Sequence, residues 1–252
     1  MCQPVASNLT WKQEPNRNIA KLQSLDERFV MPVDAEWPNR GISELVLDGK
    51  RFDTCKFLQL HFPGKTASAP EPVAEAYIRG DDFVVTYTQP PERTIRPQVY
   101  WRSLQFGDST FGVQVILSTQ TDQLASEPES SVVSVFRQAD VFSVNAENLQ
   151  PIERSNAAQR DPDFCTFLIR PHSIPEWSFV QIISPTDLSD SFVRNTADGN
   201  LEIGFHLFRH ELEKGVIRRG QVCGVFLPRH NDQQSATEIY EQLRDWRPPL
   251  TT

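Results

Sequence analysis

The sequence predicts a mainly β protein, a large antiparallel β-sandwich with one C-terminal helix. Apolar and polar residues alternate in many short segments, which is the period of a half-buried strand. The 19 prolines outnumber the 11 glycines and lie between these segments, where they interrupt helices. A length of 252 residues fits one large sandwich, or two smaller domains that share a core.

The N-terminal residues 1–40 are polar, and we predict an irregular arm with one short helix over residues 19–29. From residue 41 the alternation begins, and Asp48-Gly49 predicts a tight hairpin turn because both residues tolerate a positive φ. The segment 79–82, Arg-Gly-Asp-Asp, predicts a second hairpin turn. An Arg-Gly-Asp tripeptide is also an integrin-binding motif, but glycine as a turn residue explains it better.

The strongest strand signals lie in residues 97–106 and 111–120, which predict a hairpin around Gly107. In the second segment Val113, Val115 and Leu117 alternate with partly polar neighbours. Residues 132–144 follow and predict either two short strands or one bent strand.

A long polar segment, residues 145–163, predicts a surface connection between two β halves of one structural unit, residues 41–144 and 164–252. Residues 200–232 repeat the layout of residues 97–122, which suggests an internal duplication; chance similarity between hairpins is the alternative. A large duplicated sandwich resembles in architecture the mutarotase-like supersandwich folds, which bind sugars. No sequence motif of that family is present, so the resemblance implies a fold and not a function.

The end of the chain predicts a helix over residues 235–246 that docks on a sheet. Its first turn contains a capping box, in which Ser235 is followed three residues later by Glu238. Its apolar face is formed by Ile239, Leu243 and Trp246.

The net charge of −8 and the pI near 5.2 argue against a nucleic-acid partner, because the overall field repels phosphates. The basic stretch at residues 214–219 follows Glu211 and Glu213 and is interpreted as a solvated surface. No apolar run is long enough for a membrane span, and residues 1–18 lack an apolar h-region and a basic n-region, so we do not expect export. The four cysteines have no metal-ligand spacing, so we expect reduced thiols, a cytoplasmic location, no metal and no cofactor.

The densest cluster of reactive side chains contains His206, His210 and Glu211. Its spacing differs from that of the HExxH zinc hydrolases. On a strand, His206 and His210 would project from one face, where they could bind a metal or act as a general base. The alternative is that they lie on a solvated face.

A second candidate is a set of aromatic and cationic residues that could bind a ligand. Aromatic rings stack on sugars, and guanidinium groups form paired hydrogen bonds with anions. Packing in the β core is the alternative for this set. The candidate ligand-binding residues are Arg93, Arg96, Tyr100, Trp101, Arg102 and Trp177.

Three functions are compatible with these patterns. The leading hypothesis is a non-catalytic binding or interaction domain, whose ligand is a carbohydrate or a protein. The second is a carbohydrate-active enzyme of epimerase or lyase type, with His206 or His210 as base and Glu211 or Glu202 as partner; this requires the side chains to converge in one pocket. The third is a structural subunit of a larger assembly. No nucleotide-binding or serine-hydrolase motif is present.

Overall fold

The structure, a computed structural model, describes residues 8–64, 69–91, 93–144, 149–152, 155–159 and 165–244, with the backbone alone for residues 155–159 and 244. Among these described residues, two short 3-10 helices span Pro38–Arg40 and Arg229–Asn231, and the helix α1 spans Asp232–Arg244. The strands are β1 (Leu9–Gln13), β2 (Ile19–Ser24), β3 (Val30–Asp34), β4 (Leu45–Leu47), β5 (Lys50–Phe52), β6 (Lys56–His61), β7 (Val73–Arg79), β8 (Asp82–Tyr87), β9 (Arg96–Gln105), β10 (Phe111–Gln120), β11 (Ala125–Ser126), β12 (Ser130–Phe136), β13 (Ala139–Val144), β14 (Leu149–Pro151), β15 (Ser155–Gln159), β16 (Thr166–Pro171), β17 (Trp177–Ile183), β18 (Asp190–Asn195), β19 (Leu201–Leu207), β20 (Leu212–Glu213) and β21 (Arg218–Pro228).

The strands form antiparallel sheets, which confirms the predicted fold class. The largest sheet has nine strands in the order β14-β13-β16-β17-β21-β10-β9-β8-β7, and a second has five in the order β15-β18-β19-β12-β6. The nine-stranded sheet therefore contains strands from both predicted halves of the chain. A further five-stranded sheet contains β1 to β5, and β11 pairs with β20.

The core lies between the nine-stranded sheet and the sheet that contains β6 and β12. Phe57 on β6 is fully buried, and its ring centroid lies 4.8 Å from that of Phe179 and 4.9 Å from that of Phe226, both on the larger sheet. The ring of Phe136 on β12, the neighbouring strand, lies 5.5 Å from that of Phe57. Aromatic rings from both sheets thus interdigitate, as in a β-sandwich.

The predicted irregular arm and its short helix are wrong for residues 9–34, which form β1, β2 and β3. The alternation is present in the sequence: Leu9 and Trp11 point into the core from β1, and Leu22 does so from β2. Charged turns separate these short strands and hide the pattern. The meander packs on the edge of the larger sheet, where the Trp11 indole donates a hydrogen bond to the Asp81 carbonyl at 3.0 Å.

Both predicted hairpin turns are confirmed. Leu47 pairs with Lys50 across the first turn, where Asp48 and Gly49 have φ angles of 49° and 75°. In the second turn Gly80 has a φ of 57° between the paired ends of β7 and β8. The strong strands β9 and β10 also pair directly with each other, as predicted.

The segments that suggested a duplication are arranged differently. The strands β9 and β10 are neighbours in the nine-stranded sheet. In contrast, β19 lies in the five-stranded sheet that contains β6 and β12, and β21 lies in the nine-stranded one. Likewise β12 and β13 are two strands that lie in different sheets. The duplication stays a prediction. The predicted connection, residues 145–163, includes the edge strands β14 and β15, so it is not irregular throughout.

The C-terminal helix is confirmed, with a different start. It begins at Asp232, so Ser235 lies inside the helix and does not cap it. Ile239 and Leu243 are buried against the outer face of the nine-stranded sheet, while Trp246 lies outside the described residues. In the described part of the chain, no helix has the length and apolar character needed to cross a membrane.

Candidate functional site

An open cleft of about 350 Å³ lies where three chain segments meet. It is lined by residues 186–189 of the loop between β17 and β18, by residues 208–210 after β19, and by residues 218–219 at the start of β21. We call it the loop cleft. Loops held by a rigid sheet are common places for binding sites, so this cleft is the candidate site.

The inner wall of the loop cleft is formed by Phe208, whose backbone has a φ of 64° and directs the ring into the core. Gly220 on β21 makes room for this ring. A Cβ atom at Gly220 would lie 2.7 Å from Leu207 Cδ2 and 3.2 Å from Phe208 Cε1, which is too close for ordinary packing. The apolar wall of the cleft therefore depends on this glycine.

Hydrogen bonds through Ser189 fix the two loops to each other. The Ser189 amide donates to the carbonyl of His206 at 2.9 Å, and the Ser189 hydroxyl accepts from the Arg209 amide at 3.2 Å. The position of Arg209 and its neighbours is thus tied to the loop that follows β17.

The carboxyl group of Asp187 lies on one side of the cleft. Its Oδ2 accepts a hydrogen bond from the Gln221 amide at 3.0 Å, which ties the loop to β21. Burial raises the pKa of Asp187 above its usual range, although this hydrogen bond acts in the opposite direction. Asp187, the acidic residue of the lining, therefore holds a proton more readily than an exposed aspartate does.

Basic side chains dominate the rest of the lining. The guanidinium group of Arg218 donates to the Glu211 backbone carbonyl at 3.0 Å, and Arg219 is the next residue of β21. Both arginines are half-buried. Residues 214–217 are exposed, as the interpretation of residues 214–219 as a solvated surface expects, whereas Arg218 and Arg219 are half-buried and line the cleft.

A cluster of charged residues lies next to the cleft around Asp190, whose side chain is fully buried. Arg209 forms an ion pair with Asp190, and its Nε lies 3.5 Å from a Glu129 carboxylate oxygen. Nδ1 of His206 lies 3.2 Å from Asp190 Oδ1, and the His206 ring contacts that of Phe192 at 5.1 Å. Arg209 thus connects this cluster to the cleft.

The two candidate histidines do not share a face. Strand β19 ends at Leu207, and the left-handed backbone of Phe208 interrupts the alternation on which the prediction rested. As a result His210 lines the cleft, whereas His206 lies beside Asp190 and is not among the lining residues. The prediction that both project together is wrong.

The candidate acidic partners of the histidines are also placed elsewhere. Glu211 is exposed and contributes its backbone carbonyl, not its carboxylate, to the contact with Arg218. Glu202 accepts a hydrogen bond from Arg194 at 2.8 Å.

Three of the candidate ligand-binding residues are buried away from any ligand. Trp101 is fully buried in the core, and Trp177 packs at 5.5 Å from Phe111. Arg93 is 1% exposed and forms an ion pair with Glu71. These three residues stabilise the fold, so assigning them to a binding site is wrong.

The other three lie on the outer face of the nine-stranded sheet. Arg102 donates two hydrogen bonds to Asp82, at 2.7 and 2.9 Å, and this contact raises the pKa of the guanidinium group. The Tyr100 hydroxyl donates to Gln98 at 2.9 Å, and Arg96 is exposed at the start of β9. The six residues thus do not form one site, and none lines the loop cleft.

Residues 186–189 were not identified from the sequence. A signal was present, because the polar segment Ser184-Pro185-Thr186-Asp187 directly follows β17, in which every residue is buried. A polar loop that follows a fully buried strand lies on the surface at the end of that strand, where binding sites are common.

No protein-family model and no curated protein matches the chain. Among solved structures, the chain is similar to a "putative aldose 1-epimerase" from Klebsiella pneumoniae subsp. pneumoniae, with a TM-score of 0.52 and 10% identity over 97% of this chain and 91% of that one. An α-N-acetylgalactosaminidase from Bifidobacterium bifidum matches with a TM-score of 0.49 and 10% identity over 97% of this chain and 39% of its own. A mutant heparan sulfate lyase from Pedobacter heparinus matches with a TM-score of 0.47 and 14% identity over 90% and 37%.

The chain thus spans nearly all of the first protein and less than two fifths of the other two. At these identities the likeness to the first protein shows the fold alone. It is consistent with the supersandwich-like architecture expected from the sequence.

Proposed function

We propose that the chain is a non-catalytic carbohydrate-binding domain and that the loop cleft holds the saccharide. The observation that carries the proposal is the composition of the cleft, which is lined by the apolar side chain of Phe208 together with hydrogen-bonding groups on Ser189, Arg218 and Arg219. Sugars present apolar C–H faces and hydroxyl groups, and they are bound by this combination of side chains.

The fold supports a sugar as the ligand. The similar structure that covers nearly the full length of this chain is described as a "putative aldose 1-epimerase", and an aldose is a sugar. The cleft volume of about 350 Å³ is at the lower end of the range for small-molecule sites, which suits one or two sugar rings.

Filling the cleft tests this function. Thr186 is exposed at the rim, so Thr186→Trp is expected to block the cleft without disturbing the core. On a glycan array, we expect the wild type to bind a subset of saccharides and Thr186→Trp to bind them at least about tenfold more weakly, a loss of roughly 1.4 kcal/mol. The matched control is Thr10→Trp, at an exposed position on β1, which should bind as the wild type does. If both variants bind the saccharides equally well, the loop cleft is not the saccharide-binding site.

A second candidate, a carbohydrate-active enzyme, is favoured by one observation: the cleft brings Asp187, whose pKa is raised by burial, together with His210. Such a pair could act as general acid and base. If it does, the protein should accelerate the change in optical rotation of a freshly dissolved aldose, and Asp187→Asn should lower that rate by roughly a hundredfold. The control Asp198→Asn, at an exposed turn, should keep it. A wild-type rate equal to that of buffer would exclude this candidate.

A further inference from the structure

Basic side chains outnumber acidic ones in the lining of the loop cleft, whereas acidic residues are in excess in the whole chain. The net charge of the protein is −8, yet four of the side chains that line the cleft are basic and one is acidic. A concave site lined by one sign of charge focuses the local field and concentrates ligands of the opposite sign.

Not all of these basic groups are available to a ligand. The charge of Arg209 is balanced by Asp190, with Glu129 close by. Because two carboxylates lie beside it, Arg209 adds no net positive charge to the cleft.

Arg218 is in a different situation. It donates to the backbone carbonyl of Glu211, which holds the guanidinium group in place without neutralising it. No carboxylate of the described residues forms an ion pair with Arg218. The guanidinium group of Arg218 is therefore held in position, and its positive charge is available to an anionic ligand.

Asp187 does not supply that partner. Its carboxylate is bonded to the Gln221 amide and forms no ion pair with a described basic side chain. Burial raises its pKa, which further reduces the negative charge that it contributes to the cleft.

Resting on the function proposed above, we infer that the saccharide in the loop cleft carries an acidic group, a carboxylate or a sulfate, which Arg218 binds with help from His210. A guanidinium group matches the oxygens of either anion through two parallel hydrogen bonds. Successive strand residues project to opposite sides, so Arg218 and Arg219 can line one cleft only because the cleft lies across the start of β21.

Matched sugars that differ only in charge test this inference. The probes are D-glucose, D-glucuronate, D-glucose 6-sulfate and sodium sulfate, titrated at low salt and followed by NMR chemical shifts. We expect one or both of the acidic sugars to bind at least about tenfold more tightly than glucose. The two acidic sugars show whether a carboxylate or a sulfate is preferred, and sodium sulfate shows whether the sugar ring is needed.

The variant Arg218→Gln keeps a donor for the Glu211 carbonyl and removes the charge. It is expected to bind the acidic sugars as weakly as glucose, while the control Arg51→Gln, at an exposed ion pair on β5, keeps the wild-type preference. Circular dichroism verifies that both variants fold.

The outcomes separate this inference from the proposed function. If glucose binds in the cleft as tightly as the acidic sugars, the inference is wrong and the proposed function stands. If sodium sulfate binds as tightly as the acidic sugars, the sugar ring is not recognised and the inference is also wrong. If no saccharide from the array or the titration binds, the proposed function itself fails.

Discussion

Replacing Phe57 by alanine is expected to lower the free energy of unfolding by about 3–5 kcal/mol, the usual cost of a large cavity in a core. Phe57 is fully buried on β6, in the five-stranded sheet that also contains β12. Its ring contacts Phe179 and Phe226 on the nine-stranded sheet. The substitution therefore removes contacts that hold the two sheets together. Urea denaturation followed by tryptophan fluorescence measures the effect, with an unchanged m-value as the sign of an intact fold.

The matched control is Leu25→Ala, because Leu25 is 83% exposed. Its free energy of unfolding should stay within about 0.5 kcal/mol of the wild type. A loss below about 1 kcal/mol for Phe57→Ala would contradict the face-to-face packing of the two sheets.

Asp232→Ala is expected to cost about 3 kcal/mol, because Asp232 attaches the C-terminal helix to the nine-stranded sheet. Its carboxylate, 4% exposed, accepts two hydrogen bonds of 2.8 Å from Arg170 on β16 and one of 2.6 Å from Ser178 on β17. Removing one partner of such a pair leaves the other unsatisfied. The value lies at the low end of the usual range because the Arg170 side chain is 28% exposed and regains some water.

The effect of Asp232 should depend on pH. Burial acts to raise its pKa, but the hydrogen bonds from Arg170 and Ser178 lower it, and the net result lies below the ordinary value of 3.8. A carboxyl with a lowered folded-state pKa stabilises the fold above the ordinary value and loses that contribution as pH falls through the folded one. The stability difference between wild type and Asp232→Ala should therefore be full at pH 7 and shrink below about pH 4.

The control for Asp232 is Glu44→Gln, which removes an ion pair to Arg51 in which both side chains are mostly exposed. It should cost less than about 1 kcal/mol. If Asp232→Ala costs no more than Glu44→Gln at pH 7, the helix is not attached through this carboxylate.

The fold class could be predicted because strands such as β10 carry their alternation in one uninterrupted run. The N-terminal meander could not, because β1, β2 and β3 have only five or six residues each and are separated by charged turns. The assignment of strands to sheets was also beyond the sequence. Strand β19 alternates like the hairpin strands, and only its pairing with β12 and β18 places it in the smaller sheet.

The site was harder to predict, because the face on which a residue lies depends on one position of register. Tyr100 and Trp101 are neighbours on β9, yet the first lies on the outer face and the second in the core. Arg218 and Arg219 were interpreted as part of a solvated surface because acidic residues precede them, and local charge balance does not show which side chains line a cleft. His210 was found in the sequence, but its partners in the cleft come from a loop about 20 residues earlier.

The most direct test of the central claim, that the loop cleft binds an acidic saccharide, is a ¹H-¹⁵N NMR titration of the whole chain with D-glucuronate. We expect the largest shifts at the amides of Ser189, Arg219 and Gln221, which frame the cleft, and smaller or no shifts at Tyr100 and Arg102 on the outer sheet face. The largest shifts at Tyr100 and Arg102, with Ser189 and Arg219 unchanged, would contradict it.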